Sequence, residues 1–75
     1  MPCTEELTAI IERDDETYVA LCPELDIASQ GGTVDEARAN LEEAIELFFE
    51  TADASEIARR LSPERYVTRL HVERR

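Results

Sequence analysis

The chain has 75 residues, of which 18 are acidic and 8 are arginine, with no lysine, so its formal charge is −10 and its isoelectric point lies near 4.4. This length predicts one small domain with a thin core, for which self-association is a natural way to bury more apolar surface. No apolar run approaches the roughly 18–20 residues of a membrane span, and the first residues lack the basic-then-apolar order of a signal peptide. We therefore expect a cytoplasmic protein that makes no use of a membrane.

The charge is divided unevenly along the chain. Up to Glu56 there are 16 acids and 2 arginines, and after it 2 acids and 6 arginines, so the two parts carry −14 and +4. An acidic body repels phosphate backbones, which argues against nonspecific nucleic-acid binding and favours a basic protein partner. A biased genome or a high growth temperature also produces such a composition. The arginines after Glu56, Arg65 among them, fit either a minor nucleic-acid contact or, as we prefer, the complement of the acidic body within an oligomer.

Three short strands are predicted before the first helix. Residues 7–12 are rich in β-forming residues and end at a charged turn over residues 13–16. Residues 17–22 are apolar on both alternating faces, as expected of a central strand covered on one side, and Pro23 ends this strand because it has no amide donor. Residues 27–30 form a weaker third strand that ends at a glycine pair.

Two capping patterns predict the helices. Thr33 and Glu36 form a capping box that opens a first helix, in which one apolar stripe faces the sheet. Asp53 and Glu56 repeat the pattern, which predicts a short second helix over residues 54–61, halted before Pro63. The stripe of the first helix consists of Val34, Ala37, Leu41, Ala44, Ile45 and Phe48.

The period changes to two after the second helix. Tyr66, Thr68, Leu70 and Val72 alternate with Val67, Arg69, His71 and Glu73, which predicts a last strand. A right-handed crossover would return this strand parallel to the first one, at its free edge. The predicted fold is therefore α+β, of order β-β-β-α-(short α)-β, with a mixed four-stranded sheet covered on one face by a helix.

The residues offer little for catalysis, and we expect no enzymatic activity, metal or cofactor. His71 lies in the outward-facing set of the last strand, which is typical of a solvated histidine. The turn acids at 14–16 lack the spacing of a calcium loop, and the pair Gly31–Gly32 lacks the lysine of a phosphate-binding loop, so turn geometry is its simpler explanation. Cys3 and Cys22 belong to no metal-binding pattern and are interpreted as a terminal thiol and a packed thiol.

The first helix has an unusual excess of acids outside its apolar stripe. Asp35, Glu36, Glu42, Glu43, Glu46 and Glu50 face a single Arg38 over about four turns. Like charges at i,i+4 each cost a few tenths of a kcal/mol, so a function could offset that cost. The two interpretations left open are docking onto a basic surface and an ordinary solvated helix face.

Four segments follow one another in a specific order: Tyr18-Val19-Ala20-x-Cys22-Pro23-Glu24-Leu25, Ser29-Gln30-Gly31-x-Thr33, Glu36-Ala37 and Asn40-x-x-Glu43-Ala44. This ordered set resembles the HicB-like antitoxins over about residues 7–50. The resemblance implies a partial ribonuclease H-like domain that neutralises a small, basic, RNA-cleaving toxin of the HicA type, which itself resembles a double-stranded-RNA-binding domain.

The chain departs from that family pattern in three places. Thr17 stands where a glycine is usual after the turn acids, and Asp26-Ile27 stands where Pro-Gly is usual. Only 19 residues follow Glu56, so a DNA-binding module of the kind that full-length relatives add is not expected, nor is direct DNA binding.

We therefore predict an antitoxin that binds a HicA-like toxin and forms a homo-oligomer, either a dimer or a tetramer. The alternative is an orphan homo-oligomeric module that binds another protein or a ligand. The predicted partner-binding residues are Asp35, Glu36, Glu42, Glu43, Glu46 and Glu50 on the helix, with Glu24 and Asp26 on the nearby bend as secondary contacts.

Overall fold

The computed structural model describes residues 6–61, 66 and 68–75. The interpretations of Cys3, Pro63, Arg65 and Val67 therefore concern residues outside the described ones. The described chain is α+β, with a three-stranded antiparallel sheet of order β1-β2-β3 followed by two helices. The elements are β1 (Ile10–Asp14), β2 (Thr17–Cys22), β3 (Ile27–Gly31), α1 (Val34–Thr51) and α2 (Ala54–Arg60).

The first hairpin is tighter than predicted. Asp14 pairs with Thr17, so the loop is only Asp15–Glu16 and β1 begins three residues later than expected. Asp15 has a φ of 58°, and a positive φ at the first of two loop residues is typical of a type II′ hairpin turn. Arg13 and Asp14 thus belong to the strand because an exposed edge strand tolerates charged side chains.

β2 has the predicted bounds and is the central strand. Its residues alternate between the two sheet faces, so Ala20 and Cys22 are buried beneath α1 while Val19 and Leu21 lie on the opposite face. β3 also agrees with the prediction, extended by one residue to Gly31.

The core is small and lies between α1 and the sheet. The helix packs mainly against β3 and β2 and least against β1. Of its predicted apolar stripe, Ala37 and Leu41 are buried, while Val34 is 45% exposed. Partly buried residues, among them Ile11, Ile45 and Phe48, surround this core. The buried apolar residues of the described chain are Ala20, Cys22, Leu25, Ala37 and Leu41.

Only one of the two hydrogen bonds of the predicted capping box forms at the N-terminus of α1. The Glu36 amide donates to Thr33 Oγ1 at 3.0 Å, but the Glu36 carboxylate accepts from the Gly32 amide at 3.1 Å instead of returning to Thr33. The Gly31–Gly32 pair does not need glycine for a left-handed backbone, because neither residue has a positive φ. Gly31 is instead buried where β3 passes the first turn of α1, so space explains it better than turn geometry.

α2 begins as predicted and is attached to the body through one arginine. Asp53 Oδ1 accepts from the Glu56 amide and from Ser55 Oγ, both at 2.8 Å, and these bonds lower the pKa of Asp53. Arg60 donates to the Leu25 carbonyl and to the Glu56 carboxylate, and its guanidinium carbon lies 5.2 Å from the centroid of the Phe48 ring. These contacts hold the end of α2 against the β2–β3 bend.

The described residues of the predicted last strand are not in a strand. Residues 66 and 68–75 belong to no helix or strand, and Tyr66, Leu70 and Val72 are 87%, 82% and 80% exposed. The two-residue alternation identifies a segment able to form a strand, but a strand also needs an edge to pair with, which a local pattern cannot supply. None of the described helices is both long enough and apolar enough to cross a membrane.

Candidate functional site

The predicted helical acids share one side of α1. In a helix of 3.6 residues per turn they project over roughly a third of its circumference, opposite the line of Ala37 and Leu41 that is buried against the sheet. All six are exposed, and we call them the acidic face. The acidic face consists of Asp35, Glu36, Glu42, Glu43, Glu46 and Glu50.

Five of these six carboxylates make no hydrogen bond or ion pair with the described part of the chain. The exception is Glu36, whose carboxylate accepts from the Gly32 amide. Both ion pairs of the described residues join Glu56 to arginines of α2, namely Arg59 and Arg60, and so lie outside the acidic face. The negative charge of the face is thus left for solvent or for a partner.

A large apolar side chain lies at the border of the acidic face, and the sequence pattern did not single it out. Leu47 is 58% exposed and lies one turn after Glu43. An apolar or aromatic anchor surrounded by polar groups is the usual arrangement of a strong protein-binding site. Its signal in the sequence was a leucine that falls outside the apolar stripe.

Glu24 is an internal link of the chain. Its carboxylate accepts from Thr8 Oγ1 at 2.7 Å and from the Thr8 amide at 3.1 and 3.2 Å, which ties the segment before β1 to the β2–β3 bend. Partial burial opposes its charge, but the hydrogen bonds from Thr8 outweigh this and lower the pKa of Glu24. The structure therefore separates Glu24 from the acidic face.

Glu24 is expected to make folding depend on pH. Because its folded pKa lies below the unfolded value, its stabilisation is present above about pH 4.5 and is lost as the pH falls through the folded pKa. Glu24→Gln should lower the free energy of unfolding by about 1 kcal/mol at pH 7 and by less at pH 3.5, measured by urea denaturation. Glu12→Gln, on exposed β1, serves as the control, and equal losses in the Glu24 variant at both pH values would contradict the assignment.

Asp26 lies in the same bend as Glu24, two residues further along the chain. It is exposed in the β2–β3 bend and has a φ of 56°, a left-handed conformation that aspartate and asparagine tolerate better than other non-glycine residues. The bend alone is therefore enough to explain an aspartate at this position, without a contact with a partner. Asparagine is the suitable replacement for testing its charge, because it retains this tolerance.

A groove lies beside the acidic face, between α1 and the segment that leads into β1. Its volume is about 430 Å³. Leu7, Leu41 and Ile45 give it apolar walls, and Glu6, Glu42 and Glu46 place carboxylates on its lining opposite a single guanidinium, that of Arg38. This groove is open because α1 covers β3 and β2 better than β1.

The face of the sheet away from α1 has no covering helix in the described chain. Ile10, Leu21 and Ala28 are paired across the three strands and form an apolar row on that face. The sequence indicated this surface, because β2 is apolar on both faces while only one face of the sheet was predicted to be covered by a helix. The row is a second exposed apolar feature besides the groove.

The remaining candidates for chemistry do not converge. Cys22 is a buried free thiol, and burial raises its pKa, which keeps it protonated and unreactive. His71 is exposed in the segment after α2. Among residues 6–61, 66 and 68–75, no three histidine, cysteine or acidic side chains are placed to hold a metal ion.

Two curated proteins resemble this chain over most of its length. A UPF0150 protein of Synechocystis sp. is 51% identical over 61 residues, which cover 79% of this chain and 82% of that protein. A UPF0150 protein of Helicobacter pylori is 42% identical over 53 residues, which cover 69% of this chain and 74% of that protein. No family model matches the chain, and no solved structure matches it either. The identity and coverage of these two relatives show that the chain belongs to the UPF0150 family.

Proposed function

We propose that this chain is a HicB-like antitoxin of a type II toxin–antitoxin system, which binds and occludes a small, basic, HicA-like, RNA-cleaving toxin. The ordered motifs from Tyr18 to Ala44 support the assignment to the HicB-like group. The observed order of three antiparallel strands followed by a long helix is the order that a partial ribonuclease H-like domain requires, so it also supports the proposal.

The acidic face is the observation that carries the proposal. It presents unpaired carboxylates along one side of α1, and Leu47 adds an exposed apolar anchor at their border. A surface that binds RNA has arginines and lysines arranged for phosphate groups. Carboxylates form the same charge-assisted hydrogen bonds with those side chains, so the acidic face would replace the RNA at the toxin.

The proposal assigns inhibition by occlusion to this chain and no catalysis. A ribonuclease H-type site needs converging carboxylates that hold a divalent metal, one of them central in the first strand. The central residue of β1 is an acid, Glu12, but it is exposed and lies opposite Val19 of β2. Within residues 6–61, 66 and 68–75 it converges with no pair of acidic, cysteine or histidine side chains that could hold a metal with it. A fold of this type does not by itself imply nuclease activity.

The test is co-expression with the neighbouring small basic open reading frame. We expect expression of that frame alone to arrest growth and co-expression of this chain to restore it. The two proteins should also purify as a complex of defined mass, and the complex should weaken at high salt because exposed charges are screened. A harmless neighbour, or a toxic one that is neither rescued nor bound, would contradict the antitoxin function. That result would favour the orphan homo-oligomeric module, for which the exposed apolar row of the sheet and the groove are the candidate surfaces.

A further inference from the structure

The segment after α2 has the properties of a strand without a partner. In an extended conformation, Thr68, Leu70 and Val72 would lie on one side of this segment, and Arg69 and His71 on the other. In the described structure this segment pairs with no strand, and its apolar side chains are among the most exposed of the molecule. We call residues 66 and 68–75 the tail.

β1 provides a matching edge. It pairs only with β2, so its other side presents unpaired backbone amides and carbonyls, and this edge continues into the apolar groove lined by Leu41 and Ile45. Residues 6–14 along this edge are similar in length to the tail. A strand added here would place alternate side chains over the groove, since alternate residues of a strand point to the same face.

The charges of the groove and the tail are complementary. Three carboxylates and one guanidinium line the groove, which gives it a charge of −2. Residues 68–75 of the tail contain three arginines and one glutamate, which gives them +2 with His71 neutral. The −14 and +4 parts of the chain show the same division, so two copies, each with a net charge of −10, repel each other least when the tail of one lies on the body of the other.

We propose that two copies of this chain form a dimer by exchanging tails, each tail adding as a fourth strand to the β1 edge of the other copy. Leu70 and Val72 then cover the groove of the partner with Arg74 on the same side of the strand, and Arg69 and His71 face outward. The exchange satisfies both free β1 edges at once and closes on itself by two-fold symmetry. It does not depend on the antitoxin function, because it involves copies of this chain alone.

Point variants of the full chain test the contact. Leu70→Asp with Val72→Asp should raise the dissociation constant of the dimer about 100-fold or more, because two charges would have to be buried in the apolar groove. Sedimentation velocity over a range of concentrations measures that constant, and circular dichroism verifies that the helices are retained. His71→Ser, on the outward side of the tail, is the matched control and should leave the dimer intact.

Disulfide trapping distinguishes exchange from docking within one chain. Two chains of different mass, one with Ala9→Cys and the other with Leu70→Cys, are mixed and oxidised in a Cys3→Ser background, with the buried Cys22 retained. A disulfide between the two different chains is the expected result. A disulfide that forms only when both cysteines are on one monomeric chain would overturn the proposal. A wild-type chain that stays monomeric at all concentrations, or a dimer unaffected by Leu70→Asp with Val72→Asp, would also overturn it.

Discussion

Replacing Gly31 by alanine is expected to destabilise the fold by about 3 kcal/mol, close to half the stability of a domain of this size. A Cβ at this position would lie 2.6 Å from the Ala37 amide nitrogen, 2.8 Å from the Glu36 carbonyl carbon and 2.9 Å from Glu36 Cγ. Two of these three atoms belong to the backbone of the first turn of α1. They cannot move aside without displacing the helix from the sheet, and with it the acidic face.

Gly32→Ala is the matched control for this prediction. The nearest atom to a Cβ at Gly32 is Glu36 Oε1 at 4.0 Å, and its φ is not positive, so alanine fits without strain. Thermal unfolding should show a melting temperature lower by about 15 °C for Gly31→Ala and within a few degrees of the wild type for Gly32→Ala. Similar melting temperatures for the two variants would show that β3 and α1 are not in this close contact.

Neutralising the acidic face is expected to change stability and toxin binding in opposite directions. The variant is Glu42→Gln, Glu43→Gln, Glu46→Gln and Glu50→Gln, which removes like charges at i,i+3 and i,i+4. The free energy of unfolding should rise by about 0.5–1 kcal/mol, because repulsion along the helix is relieved. The affinity for the toxin should fall about 100-fold, because the carboxylates that meet its basic side chains are lost. Chemical denaturation and titration calorimetry measure the two quantities.

The control removes the same amount of charge from the β1–β2 hairpin. Glu12→Gln, Asp14→Asn, Asp15→Asn and Glu16→Gln change the net charge equally, and asparagine tolerates the positive φ at position 15. This variant should bind the toxin nearly as well as the wild type, so that the effect is attributed to the face and not to the total charge. A helix variant that is more stable and still binds normally would identify the acidic face as an ordinary solvated surface.

The proposed tail exchange divides the acidic face between two roles. Glu42 and Glu46 line the groove that receives the tail, whereas Glu43 and Glu50 are not part of it. The mass of the helix variant in the absence of toxin should therefore be measured as well. If the affinity for the toxin falls while the dimer is unchanged, the loss is due to the toxin-binding role of the acidic face and not to disruption of the dimer.

Local patterns were sufficient for most of the secondary structure. The N-caps at Thr33 and Asp53 act on amides only three residues away, so short-range hydrogen bonding determines where both helices begin. The bounds of β2 agree with its apolar residues and with Pro23. The position of the acidic face also follows from helical spacing alone, because the stripe that packs on the sheet determines which side remains exposed.

Contacts between distant residues decided the rest. Glu24 resembles the other exposed acids in sequence, but its carboxylate is held by Thr8, sixteen positions earlier. Gly31 resembles a turn glycine in sequence, but glycine is needed there because the α1 backbone leaves no space for a side chain. Short-range interactions define the helices, the central strand and the charged surface, because each depends on neighbours a few residues away. Which edge of the sheet stays open, and whether the tail is paired, follows only from the packed fold, because strand pairing depends on which segments meet in space.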